Sequence, residues 1–219
     1  MEINMKELFE KVIKSLEKNN MQGFYAENSA QAVELVKQLI KKGDTVTMGG
    51  SMSVIESGVK DLITNGDYNF LDRGKEGITP EEIEEVYRKT FYADAYFCSS
   101  NAVTENGELY NVDGNSNRVA AILYGPKSVI MIVGKNKIVK DTDAAINRVK
   151  TIAAPKNTKR LNKQTYCNLK GSCVSLNGDS YICDGCGGSD RICRNYVFCG
   201  PQAKKNRIKV ILVNENLGY

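Results

Sequence analysis

The chain has 219 residues, 42% apolar and 26% charged, with a formal net charge of +4; this size and balance admit one large α/β domain, with or without an appendage, and exclude a mostly disordered chain. There is no histidine, so Ser-His and Cys-His nucleophile pairs are excluded and proton transfer falls to Asp, Glu, Lys, Tyr or Cys. No apolar run reaches the roughly 20 residues of a membrane-spanning helix, the opening segment MEINMKELFEKVIKSLEKNN is charged where a signal peptide is apolar, and basic residues are interleaved with acidic ones; the expected setting is cytoplasmic, with no membrane insertion and no nucleic-acid partner.

Leu8, Phe9, Val12, Ile13 and Leu16 recur at helical spacing and predict a helix from Met5 to about Lys18, stopped by Asn19 and Asn20. Residues 21–25 read as a short strand, Asn28 or Ser29 as an N-cap, and AQAVELVKQLI as a second helix ending near Gly43. DTVTMGG is a strand running into a glycine turn, and SMSVIESGVKDLI opens another helix. NFLDR reads as a strand. Thr79, Pro80, Glu81 and Glu82 then supply a cap, a proline in the first turn and acids near the helix start, so a helix is expected to about Thr90. ADAYFCSS is a buried strand, AVTENGELYNV a hairpin turning at Asn106 and Gly107, SVIMIVG the most strand-like run, DTDAAINRVKTIA a helix and KVILVNENLGY the last strand. Strands alternating with helices predict a largely parallel sheet covered on both faces. After Pro155 the chain turns polar and rich in Gly and Cys, so residues 156–206 read as an excursion within a single domain spanning 1–219.

Three constellations are candidates for chemistry. The first is the turn of Gly49, Gly50, Ser51 and Ser53 at a strand end, where α/β sheets bind ligands and where glycines let backbone approach a phosphate or carboxylate. It is neither GxxxxGKS nor GxGxxG, so no nucleotide cofactor is indicated. The second is the polar run from Ser99 to Arg118. There Glu105 and Asp113 are the candidate acid and base, while Asn101, Thr104, Asn115, Asn117 and Arg118 are candidates to orient a hydroxylated or anionic ligand. The ordinary reading of such residues is a hairpin with a solvated rim. The third is Cys167, Cys173, Cys183, Cys186, Cys193 and Cys199, spaced C-x5-C-x9-C-x2-C-x6-C-x5-C. In a reducing compartment this clustering points to zinc or an iron–sulfur cluster ahead of free thiols, and to free thiols ahead of disulfides. Cys98 reads as a buried strand thiol.

The segments GGSMSVIESG and SSNAVTENGELYNVDGNSNRVAAILYGPKSVIMIVGKNKIV, the tetrad Ala154, Pro155, Lys156 and Asn157, and RICRN near the end resemble the LUD-domain (lactate-utilisation) family over most of the chain. The resemblance implies a three-layer, Rossmann-like α/β fold of the sugar-phosphate isomerase and CoA-transferase group (NagB/RpiA/CoA transferase-like). It also implies a link to lactate oxidation, while the glycine-serine turn and the polar run point to a small anionic ligand of the hydroxy-acid or sugar-phosphate kind. Short relatives carry a TPCxxxGxC…DCxxxxRIC pattern; its carry-over makes Cys167, Cys173, Cys186 and Cys193 the expected metal ligands, with Tyr166 in place of the proline and Cys183 an extra thiol. The CxxCxxCxxxCP run of cluster-carrying partners is absent from the sequence. Two roles follow: a substrate-handling protein acting through its cleft, or a metal-bearing accessory subunit that docks to a redox protein. A second copy of the chain is also among the expected partners.

Overall fold

The computed structural model describes residues 5–178 and 181–219. Helix α1 (Met5–Lys18) buries Phe9, Val12 and Leu16 along one stripe and leads to strand β1 (Gln22–Ala26). Asn28 caps α2 (Ser29–Leu39) by accepting from Gln31 N, as its short polar side chain suits. After β2 (Thr45–Met48), the expected single helix is two, α3 (Met52–Glu56) and α4 (Val59–Asn65). Gly58 separates them at φ +77°, a backbone conformation that suits glycine. Strand β3 (Asn69–Leu71) precedes α5 (Pro80–Lys89), whose start is a complete capping box between Thr79 and Glu82.

Strand β4 (Ala95–Cys98) is followed by the hairpin of β5 (Ala102–Thr104) and β6 (Leu109–Asp113), turning as expected at Asn106 and Gly107. Gly107 has φ +82°, and a Cβ there would lie 2.6 Å from the Ser15 carbonyl carbon, so both torsion and space demand glycine. A helix that hydrophobic periodicity did not signal, α6 (Asn117–Leu123), follows the hairpin. Next come β7 (Ser128–Gly134), β8 (Ile138–Val139) and α7 (Thr142–Arg148), which runs through a π turn at Val149–Ala153 into α8 (Ala154–Arg160). The helical path therefore passes Pro155, which sits where the π turn joins the first turn of α8. Helix α9 (Tyr166–Lys170), β9 (Asn195–Cys199) and β10 (Ile208–Val213) complete the chain.

Six strands form a parallel sheet in the order β1-β10-β7-β4-β2-β3. Its strands are apolar on both faces. Val46, Ala95, Phe97, Ile130, Ile132 and Ile211 pack with Val36, Val54 and Ile63 of α2, α3 and α4, while Tyr96, Val129, Met131 and Val210 pack with α1 and α6 on the other side. This is a three-layer, Rossmann-like α/β architecture. A second sheet, β8-β5-β6-β9, stands beside it and buries Ala102 and Tyr110 against α7, the π turn and α8. Strand β9 brings the excursion back by pairing antiparallel with β6. Among the described residues no helix is long and apolar enough to cross a membrane.

Strand order sets the location of the site. From β2 the chain moves outward to β3, whereas from β4 it moves the opposite way to β7. The carboxyl ends of β2 and β4 therefore flank a topological switch point, the place where open parallel sheets leave a crevice.

Candidate functional site

A cleft of about 530 Å3 opens at that switch point. One wall is the turn after β2. Gly49 N donates to Phe97 O at 3.0 Å, which pins the turn to β4, and a Cβ on Gly49 would lie 2.7 Å from the Tyr96 hydroxyl, so no larger residue fits. That hydroxyl is buried with no protein partner, and burial raises its pKa far above the usual 10. Ser51 caps α3 by accepting from Val54 N. Over the turn stands Arg73: Nη1 donates to the Tyr87 hydroxyl at 2.9 Å, and Nη2 is 2.8 Å from where a Gly50 Cβ would be.

The opposite wall comes from the second sheet and α6, and Arg118 organises it. Its guanidinium donates to Asn111 Oδ1 at 2.6 Å, Val112 O at 2.8 Å, Asn101 Oδ1 at 3.0 Å and Ser99 O at 3.2 Å. Those bonds fix a cation at the cleft edge and tie β4, β6 and α6 together. Asp113 accepts from the backbone amides of Arg118 and Val119 at 3.1 and 3.3 Å, so it caps α6 while also lining the cleft.

Beneath these walls, Lys137 follows β7 on a single helical turn and is 3% exposed. Its Nζ donates to Ser53 Oγ at 2.8 Å and Ser99 Oγ at 3.1 Å. Burial, then the positive charges of Arg148 and Arg118, pull its pKa down from 10.5 to about 7. Arg148 holds this segment against the β5 entrance by donating to Asn136 O at 2.9 Å and Asn101 O at 2.5 Å.

The cleft lining is strongly basic: Arg73, Arg118, Arg160, Lys163, Arg191 and Arg194 face it together with Lys137, against the carboxylates of Asp113 and Asp190. Of the sequence-derived ligand residues, Gly49, Gly50, Ser51, Asn101, Asn115, Asn117 and Arg118 line the cleft. Ser53 lies under it, buried and bonded to Lys137 and Leu217 O. Thr104 is fully buried and paired with Glu108, and Glu105 sits at the hairpin turn, ion-paired with Lys11 at 2.5 Å. Thus of the two candidate carboxylates the fold brings only Asp113 to the cleft. Lys137, Arg73 and Arg160 were not singled out from sequence. The signal for Lys137 was its place just past the carboxyl end of the most strand-like run, the end of a parallel strand where sites form.

A second cavity, about 20 Å3, adjoins the cleft, and Cys167, Cys173, Cys186 and Cys193 all line it. Burial raises the Cys193 thiol to about 12, and the neighbouring Cys167, Cys173 and Cys186 push the same way; Cys186 is raised by the same causes. Cys183 is exposed, and Cys199 is buried in the main core with Cys98. Arg191 braces the segment by donating to the carbonyls of Cys183 at 2.5 Å, Cys193 at 2.7 Å and Cys186 at 3.2 Å. Arg191 and Cys193 line both cavities, so this segment is one wall of the cleft. Among the described residues no three Cys, Asp or Glu side chains already stand as ligands of one ion.

The family described as the LUD domain matches residues 9–213. The solved structure of a DUF162 family protein from Deinococcus radiodurans aligns at TM-score 0.54 and 12% identity, over 96% of this chain and 99% of that one. Those of eIF2B beta and eIF2B delta from Chaetomium thermophilum align at TM-scores of 0.38 and 0.33, with 15% and 18% identity. They cover 53% and 64% of this chain, and 44% and 54% of theirs. No curated protein matches the chain.

Proposed function

The chain belongs to the LUD-domain family, and we propose that its cleft binds a small anion of the hydroxy-acid or sugar-phosphate kind, the hydroxy-acid option following the lactate-utilisation reading of the family. The observation that carries this is the lining of the switch-point cleft, where six Arg and Lys side chains beside Lys137 face two aspartates. Opposite charge held in a partly enclosed site attracts anions and orients them through forked hydrogen bonds. Arg73 is the designated anchor, since its second amino group stands over the Gly49 and Gly50 turn. Arg118 shapes the opposite wall, and Asp113 is the cleft carboxylate available for proton transfer on a bound hydroxyl. Inorganic phosphate, L-lactate and ribose 5-phosphate are the probes. At least one is expected to raise the melting temperature of the protein. In Arg73→Met its dissociation constant rises about 10- to 100-fold, the worth of a lost charge-assisted hydrogen bond. Absence of any response in the parent protein, or an unchanged constant in the variant, overturns the reading.

A second reading concerns the thiols. We infer that Cys167, Cys173, Cys186 and Cys193 close on a single zinc ion, a reading supported by their convergence on about 20 Å3 of space, roughly the room of one water molecule. One ion matches that room better than a multi-iron cluster. Four thiolates suit zinc, which supplies a tetrahedral cross-link when bound; the thiols must lose their protons and turn inward to reach it. Protein purified from zinc-supplemented medium is expected to hold about one zinc per chain, and Cys173→Ser to hold far less. Zinc-free parent protein, or equal zinc in the variant, counts against it.

A further inference from the structure

Lys137 is a basic residue placed where a cation is poorly served. Its amine is buried at the cleft, and among the described residues no carboxylate lies within ion-pair distance of it. Its two hydrogen-bond partners are serine hydroxyls. Each of those hydroxyls sends its own proton to a backbone carbonyl, Ser53 to Leu217 O at 3.0 Å and Ser99 to Ser100 O at 3.3 Å. Their oxygens therefore accept from the lysine. A neutral amine has two hydrogens and one lone pair; the serines take both hydrogens, and among the described residues no donor meets the lone pair. A structural lysine would normally be charged and matched to a carboxylate, because burying an unpaired ammonium is strongly unfavourable. Here the surrounding charges are Arg148 and Arg118, which disfavour the ammonium, opposed by Glu56.

We propose that Lys137 is a nucleophilic amine that condenses with the carbonyl carbon of a small anionic aldehyde or ketone held in the cleft. The inference rests on the anion-binding reading above, since the basic walls are what bring such a carbonyl to the amine. In the addition step the nitrogen lone pair forms the N–C bond and the carbonyl π electrons move to oxygen. One amine proton passes to that oxygen, giving a carbinolamine. The second amine proton leaves with the hydroxyl as water, and a C=N bond remains. Amine plus carbonyl becomes imine plus water, with no oxidant or reductant consumed. Desolvation beside other cations is a known way to keep a lysine nucleophilic near neutral pH. The carbonyl has two candidate carriers, a 2-oxo acid and a phosphorylated sugar, and both present an anion to the same walls.

The test is reductive trapping of the full chain. The parent protein is incubated with pyruvate or with dihydroxyacetone phosphate, treated with borohydride and mapped by peptide mass spectrometry. The expected result is an adduct on the peptide carrying Lys137 with one of the two probes, which identifies the carrier. Its initial rate rises about 10-fold from pH 6 to pH 8, as the neutral fraction of an amine of pKa about 7 does. Solvated lysines, whose pKa is about 10.4, rise about 100-fold over the same interval with no levelling above pH 7, and Lys137→Met yields no adduct at this position. Calorimetric titration with inorganic phosphate is run on the same samples. Phosphate binding without trapping at Lys137 overturns this inference and leaves the anion cleft standing; no binding and no trapping overturns both. Trapping spread equally over surface lysines also overturns it.

Discussion

The parallel sheet and the cysteine-rich segment both wall the cleft, but different forces hold them. The sheet is apolar on both faces, and residues such as Phe97, Ile130 and Ile132 are fully buried. Its stability is spread over many contacts, so that no single hydrogen bond decides it. The segment between α8 and β9 has few such residues; Leu169 and Tyr181 are 77% and 83% exposed. Its order depends on multidentate polar side chains: Arg191 on three carbonyls, Arg194 on the carbonyls of Ser189 and Arg191, and Asp190 on Gln164 N and Lys163. The sheet thus fixes the positions of the glycine turn and Lys137 through apolar packing, while polar side chains hold the described part of the opposite wall.

The largest effect separating the two regions is expected from Ile132→Ala, which opens a cavity in the central strand β7. It should cost about 2 to 5 kcal/mol of global stability, read as a drop in denaturant midpoint with all probes moving together. A midpoint change confined to part of the chain breaks the comparison by showing that the sheet is not one cooperative unit. A smaller and local effect is expected from Arg191→Met, which keeps the apolar stem and removes the carbonyl donors. Proteolytic cleavage within residues 163–194 should become about 10-fold faster, the equivalent of about 1.4 kcal/mol of local opening, while the denaturant midpoint of the sheet stays nearly in place. Equal cleavage rates would show that Arg191 is not what orders the segment. Zinc, if held by the four thiols, sharpens the contrast, since it gives the segment the cross-link its sparse apolar packing does not.

Much of the scaffold was legible because its signals are local. The helical stripe of α1, the cap and proline of α5, the Asn106 and Gly107 turn and the apolar run of β7 each depend on residues within one or two turns of one another. Helix α6 escaped because its start, Asn117 and Arg118, reads as part of a polar loop and its apolar stretch is short. The candidate site was legible in halves. The Gly49 to Ser51 turn and the Asn101 to Arg118 run were singled out for their chemistry, and the fold sets them across one cleft. Glu105 shares that composition, yet its place at the hairpin tip takes it to Lys11 instead.

The sequence by itself determined the alternation of strands and helices, the absence of histidine chemistry and the family to which the chain belongs, because these reside in composition, short-range periodicity and contiguous motifs. Only the tertiary structure decided which polar groups share a site. Lys137 meets Ser53 across 84 residues and Ser99 across 38, and four thiols spread over residues 167–193 meet around one small space. Such meetings are set by strand order, register and the direction of crossovers. A lysine's burial, and with it its charge at neutral pH, follows from those global features and from no feature of its neighbours in the chain.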